Sequence, residues 1–271
     1  MSTLANSQHP TQAAETIFGR VLVGVDGSPE SLEAVRQAAL FEAPRGRLTL
    51  LAAWNLSPPV VSPGLAPPVY ESDEASARAN AEDALRIAKE PYPSAGARVV
   101  RGFAAHALID EIVQCHAGLV VVGSHGQGRV AGILAGSTAT SLVHNAPCSV
   151  LVTRKLRHGL PRRIAVGVDG SPESAAAYAA ARYLADRFDG DLTVIVAEGG
   201  EHADLAAVSL IAGDEYHVIQ EEPVSVLTAA SADVDLLVLG SRGLHGLKAL
   251  GSVSEQVAHR AECSTLIVRT S

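Results

Sequence analysis

The chain has 271 residues, a formal charge of −8, and 47% hydrophobic residues against only 4% aromatic. That length suits two cores better than one, and the aliphatic composition suits buried parallel strands flanked by helices. The negative charge argues against a nucleic-acid binder working through basic patches, and the lack of a run of about 18 apolar residues argues against a membrane span.

In chain order, the first 17 residues are polar and lack a signal-peptide core, so they read as a flexible leader. The apolar run Arg20–Val25 predicts a strand ending at Asp26. Ser28 then suits a helix N-cap and Pro29 the first helical position, with the helix running through Glu30–Phe41 on a stripe of Leu32, Val35, Ala39 and Leu40. Leu48–Trp54 predicts the second strand, and the proline-rich SPPVVSPGLAPPVY after it excludes regular structure. A helix over Glu74–Lys89, a strand over Ala97–Gly102, a helix over Ala107–Cys115 and a strand over Leu119–Val122 follow. A glycine-rich loop, a helix near Ser137–His144 and a last strand at Ser149–Val152 close the unit.

The segment VGVDGSPES stands at Val23–Ser31 and again at Val166–Ser174, 143 positions later (166 − 23). LVVVGSHG at Leu119–Gly126 is echoed by LLVLGSRG at Leu236–Gly243, and APCSVLVTR by AECSTLIVR. Three anchors in one order establish a tandem duplication. The basic stretch Thr153–Arg163 reads as a solvated linker, dividing units over 18–155 and 162–271. The fold class is α/β, with two tandem doubly wound parallel five-stranded sheets. The strands Ser149–Val152 and Thr265–Val268 would be exposed edges, so the two units are expected to pair there.

Ligands of such sheets bind beyond the C-terminal strand ends, where both Asp26 and the loop Gly123–Thr138 fall. The loop glycines let backbone amides turn toward an anion, and Ser137 and Thr138 open a helix whose N-terminus favours phosphate. No Walker A loop occurs. GQGRVA satisfies the weak dinucleotide fingerprint, yet no acidic residue lies between Glu111 and Asp169 to hold a ribose, which excludes that reading. What remains is G-x2-G-x9-G-[ST], met by Gly123, Gly126, Gly136 and Ser137.

The second unit departs from this pattern. It has 26 fewer residues between Asp169 and Gly240 than the first has between Asp26 and Gly123 (143 − 117), and two fewer inside the loop. Ser252 and Glu255 form an S-x-x-E capping box that would satisfy the helix amides internally. Asp26 and Asp169 could instead cap the helices that follow them. His106, His116 and His144 lack metal-ligand spacing, and Cys115, Cys148 and Cys263 lack CxxC spacing. Cys148 and Cys263 read as core packing, and the odd, unpaired set as that of a cytoplasmic protein.

The V-G-V-D-G-S opening, the glycine loop and the PCSVLV last strand together resemble the universal stress protein family, in the branch that binds ATP, over nearly all of Phe18–Arg269. The resemblance implies a nucleoside held by Asp26 with Gly24 and Val25, and adenine against Ala53. It implies ribose and phosphates on Val122, Gly123, His125, Gly126, Gly136, Ser137 and Thr138, with Arg129 either reaching a phosphate or facing solvent. The ligand implied is ATP with Mg2+ on its phosphates, ahead of cyclic AMP. Asp169, Gly240, Arg242, Gly243, Gly251 and Ser252 mark a second site, expected to be degenerate. The implied role is a nucleotide-dependent regulator of stress response and survival, with no common reaction established for the family. A slow ATPase, or a structural or protein-interaction module without nucleotide, are the alternatives. The implied partners are an adenine nucleotide and copies of itself, as an intrachain pseudo-dimer and a homodimer, with neither nucleic acid nor membrane.

Overall fold

The computed structural model describes residues 16–55, 70–126, 136–199, 203–241 and 252–270. The first unit opens with β1 (Arg20–Gly24), whose Val21, Leu22 and Val23 are all buried, as a strand covered on both faces requires. Ser28 caps α1 (Pro29–Phe41): its Oγ accepts from the Ser31 amide at 3.2 Å, and Pro29 occupies the first turn, where a missing N–H costs nothing. β2 (Arg47–Trp54), α2 (Tyr70–Lys89), β3 (Gly96–Arg101), α3 (Ala104–Cys115), β4 (Leu119–Gly123), α4 (Ser137–Asn145) and β5 (Ser149–Thr153) follow. The second unit repeats the order as β6 (Arg163–Gly167), α5 (Pro172–Phe188), β7 (Asp191–Ala197), α6 (Leu205–Ala212), β8 (His217–Ile219), α7 (Pro223–Ala230), β9 (Leu236–Ser241), α8 (Val253–Arg260) and β10 (Ser264–Arg269).

Twelve of the 26 residues missing from the second unit are lost from one helix, since α6 has 8 residues where α2 has 20 (20 − 8). The proline-rich stretch lies outside the described residues up to Tyr70, as does the leader up to Thr16. Thr16–Phe18 form a helical turn, and Phe18, the first residue after the expected leader, is fully buried.

The two five-stranded sheets pair, as expected, along their last strands and so run on as one. Strand order is β3-β2-β1-β4-β5-β10-β9-β6-β7-β8, parallel throughout except where β5 meets β10 antiparallel, with Leu266 opposite Leu151. Each edge strand thereby satisfies the other's backbone groups. In each half the order reverses between its first and fourth strands, which opens a crevice at their C-terminal ends.

Scarce aromatics concentrate at the joint. Of the chain's four phenylalanines, three meet there: Phe18 stacks on Tyr183 at 5.5 Å and lies edge-on to Phe41 at 6.2 Å, and Phe41 meets Phe188 at 5.8 Å. These contacts join α1 and α5, one from each unit.

The basic segment after β5 is not the solvated connector its composition suggested, because its first residue is anchored. Arg154 crosses to the second unit, where its guanidinium donates to the carbonyls of Ala258, His259 and Cys263, each at 3.3 Å. Arg269, at the end of β10, makes the reciprocal reach to the carbonyls of Val143 and Ala146. Each arginine thus caps the last helix of the other unit, where carbonyls lack intrahelical partners and the helix dipole favours a cation. Burial pushes both guanidinium pKa values down, but arginine keeps its charge in proteins. Seryl hydroxyls complete the pseudo-symmetry: Ser264 accepts from the Arg154 amide at 3.0 Å and Ser149 from the Arg269 amide at 3.2 Å. Gln37, fully buried on α1, accepts from the Ser264 hydroxyl at 2.9 Å and so ties α1 to β10.

Candidate functional site

Beyond β1 the chain stays extended, with the Val25 amide donating to the Leu51 carbonyl at 2.8 Å. Asp26 then turns its carboxylate back: Oδ1 accepts from the Ser28 amide at 2.9 Å and from the Ser28 hydroxyl at 2.5 Å. Asp26 is therefore not the helix cap but the group that holds the cap, Ser28, in place. Its other oxygen, Oδ2, faces Gly126, where a Cβ would stand only 2.5 Å away. Residues one hundred positions apart in sequence (126 − 26) thus share one wall.

The glycine loop leaves β4 and is tied shut at its base by the Gly136 amide donating to the Ser124 carbonyl at 2.7 Å. Gly123 is required by packing: a Cβ there would stand 2.9 Å from the carbonyl carbon of Glu30, in the first turn of α1. Where the loop returns, α4 begins at Gly136 with no side chain capping it. Gly136, Ser137, Thr138 and Ala139 at this helix start all line the crevice, and a helix N-terminus favours an anion.

These pieces enclose a cavity of about 350 Å³. Eleven of the twelve residues nominated for the first site line it: Gly24, Val25, Asp26, Ala53, Val122, Gly123, His125, Gly126, Gly136, Ser137 and Thr138. The twelfth, Arg129, lies outside the described residues. Ser31, Leu51, Ala104, Leu108 and Ala139 complete the wall and were not anticipated. Four of them are apolar and belong to no motif; Ser31 closes the repeated VGVDGSPES but was not nominated for the site. The imidazole of His125 is engaged, with Nδ1 3.1 Å from Ser124 Oγ.

The second unit forms a cavity of about 330 Å³ at the equivalent place, lined by Asp169 and Gly240 among others. Asp169 repeats the local turn, accepting from the Ser171 amide at 3.0 Å. Two features differ. Glu222, an acidic residue just before α7, lines this cavity. Ser252 is not on the wall; as the capping box predicts, it caps α8 by accepting from the Glu255 amide at 3.3 Å. Glu255 also reaches across the joint, with Oε1 2.6 Å from His144 Nε2 on α4. Arg242, Gly243 and Gly251 lie outside the described residues.

Among the described residues no cluster of three His, Cys, Asp or Glu is arranged to hold a metal, and no helix is long and apolar enough to cross a membrane. Burial pushes the thiols of Cys148 and Cys263 up to about 12. In the native protein at about pH 8, both should resist iodoacetamide while reacting fully in denaturant, because only the thiolate attacks. Mass-spectrometric mapping of the alkylated cysteines checks this; rapid native labelling of either residue would contradict its place in the core.

Comparison with known proteins agrees with this architecture. The model of the universal stress protein family matches residues 18–154 and 201–269. The second match begins after β7, so the repeated VGVDGSPES of that unit falls outside it, although the structure places β6, α5 and β7 as in the first unit. A universal stress protein of Mycobacterium tuberculosis is 29% identical over 93% of this chain and 96% of its own length. Another, of Mycobacterium bovis, is 31% identical over 93% of this chain and 97% of its own. Among solved structures, a universal stress protein from Archaeoglobus fulgidus superposes with a TM-score of 0.69 at 22% identity, covering 92% of this chain and 96% of the other.

Proposed function

Since the chain belongs to the universal stress protein family, we propose that its first unit binds ATP and that occupancy regulates a stress response, while the second unit has lost phosphate binding. The contrast between the two helix starts carries this reading. α4 opens on an uncapped glycine beside Gly126 and Asp26, whereas α8 opens on Ser252, whose hydroxyl already takes one of its amides. A phosphate brought to the second cavity would also meet Glu222.

Magnitudes require more than the helix end. A helix dipole contributes about 0.3–1 kcal/mol, and micromolar affinity needs about 8 kcal/mol. The remainder must come from several amide hydrogen bonds and from an adenine buried against Leu51, Ala53, Leu108 and Val122, which supply an apolar wall. Mg2+ would be held by the phosphates rather than by a protein cluster. Three free thiols fit the reducing cytoplasm. A homodimer would have to use surfaces other than β5 and β10, which face each other within the chain.

Denaturing the purified protein and identifying released nucleotide by mass spectrometry tests the reading, with calorimetry for stoichiometry. One ATP per chain is expected. Two equal sites would overturn the loss assigned to the second unit. No nucleotide released and none bound would instead favour a protein-interaction module.

A further inference from the structure

We infer that the second cavity is a purine-nucleoside site, which accepts a base and its ribose but not their phosphates. This rests on the nucleotide reading of the first cavity and assigns a ligand to the cavity which that reading leaves without ATP. The two walls correspond residue by residue along their apolar side. Gly167, Ile195, Ala197, Leu227 and Leu239 stand where the first unit has Gly24, Leu51, Ala53, Leu108 and Val122, each lining its own cavity. Strand register fixes the match, with Gly167 opposite Ile195 as Gly24 is opposite Leu51. Leu108 and Leu227 are each the fifth residue of their helix, α3 and α7.

The packing repeats with the residues. A Cβ at Gly24 would stand 3.0 Å from Leu108 and 3.2 Å from Val122. One at Gly167 would stand 3.0 Å from Leu239 and 3.1 Å from Leu227. The same pair of apolar side chains therefore approaches the end of the first strand in both units. Every one of these residues stands on a strand or on α3 or α7, not on the glycine loop. The wall that would bury a flat apolar base is thus kept in the second unit.

The rest of the cavity has changed. Val253 lines it where the first unit has Thr138, so a hydroxyl is lost at the start of the last helix. Ser252 caps α8 instead of lining the wall. Glu222, the N-cap residue of α7, stands where α3 has Phe103. An acidic residue on the wall opposes a phosphate, whereas an ionised carboxylate only accepts hydrogen bonds, as ribose hydroxyls require.

Calorimetry on the full chain tests the assignment with Mg-ATP, AMP and adenosine as probes. Wild type saturated with ATP should still bind one adenosine per chain, and AMP should compete for that place about tenfold more weakly or worse. Ala197→Phe, which fills the apolar wall, should remove this adenosine while ATP binding at the first cavity is retained. No adenosine bound beside ATP would overturn the second site alone. So would an adenosine that survives Ala197→Phe, or AMP that binds there as tightly. Two ATP per chain would overturn the loss of phosphate binding in the second unit, and this site with it. Protein that binds none of the three would overturn the nucleotide reading of both cavities.

Discussion

Arg269→Met should lower the unfolding free energy by about 3 kcal/mol, and Arg154→Met by a similar amount, because each leaves buried helix-end carbonyls without a donor at about 1–3 kcal/mol apiece. Methionine keeps much of the volume, so the loss reports hydrogen bonds and charge rather than a cavity. Both arginines lie at the joint, each on the last helix of the other unit, so the cost should appear as destabilisation of the whole ten-stranded sheet. Urea unfolding is the measurement: the midpoint should fall with the slope unchanged. Arg157→Met, on the exposed stretch of the same linker, should stay within about 0.5 kcal/mol of wild type. A change that small for Arg154 or Arg269 would remove the capping role.

The second large effect is on binding. Gly126→Val should weaken ATP by about a hundredfold or more, equivalent to about 2.7 kcal/mol, while leaving the unfolding midpoint close to wild type. The reason is local: any Cβ at Gly126 would stand 2.5 Å from Asp26 Oδ2, and the residue sits on the loop rather than in the sheet. Either the carboxylate or the loop must then move, and the shared wall of the cavity is lost. Gly136→Ala provides the contrast, since its nearest neighbour would be the Ser124 carbonyl oxygen at 3.6 Å, an ordinary contact. Calorimetry on both variants separates the two glycines. Equal affinity of Gly126→Val and wild type would mean that the Asp26–Gly126 wall is not where the nucleotide sits.

What the sequence disclosed follows from the kind of interaction involved. β1 and β4 were legible because a parallel strand buried on both faces reads as an unbroken Val/Leu run, as in Leu119–Val122. The start of α1 was legible because Ser28 and Pro29 act on their own neighbours. Residues in glycine or acidic motifs, and Ala53 through the family resemblance, could be nominated for the cavity, whereas Leu51, Leu108 and Ala104 could not, since an apolar wall residue looks like any other core residue. The crossed arginines were hidden for a different reason. Their partners are backbone carbonyls, which every residue has, so Arg154 looked like one more charge in a basic linker. The Ser252 capping box was visible, but the reach of Glu255 to His144 joins residues 111 positions apart (255 − 144) and leaves no local trace.

The antiparallel seam between β5 and β10 has a consequence for inheritance. When two identical chains meet along an edge, every substitution is made twice, and a change that spoils one site spoils its mate. Here both partners of the seam are encoded in a single chain and meet at any dilution. A change at Asp169 or Glu222 therefore alters one cavity and leaves Gly136 and Asp26 untouched. The second half is free to drift from its ancestral chemistry while still supplying the edge, the capping arginine and the buried core that hold the first half in shape.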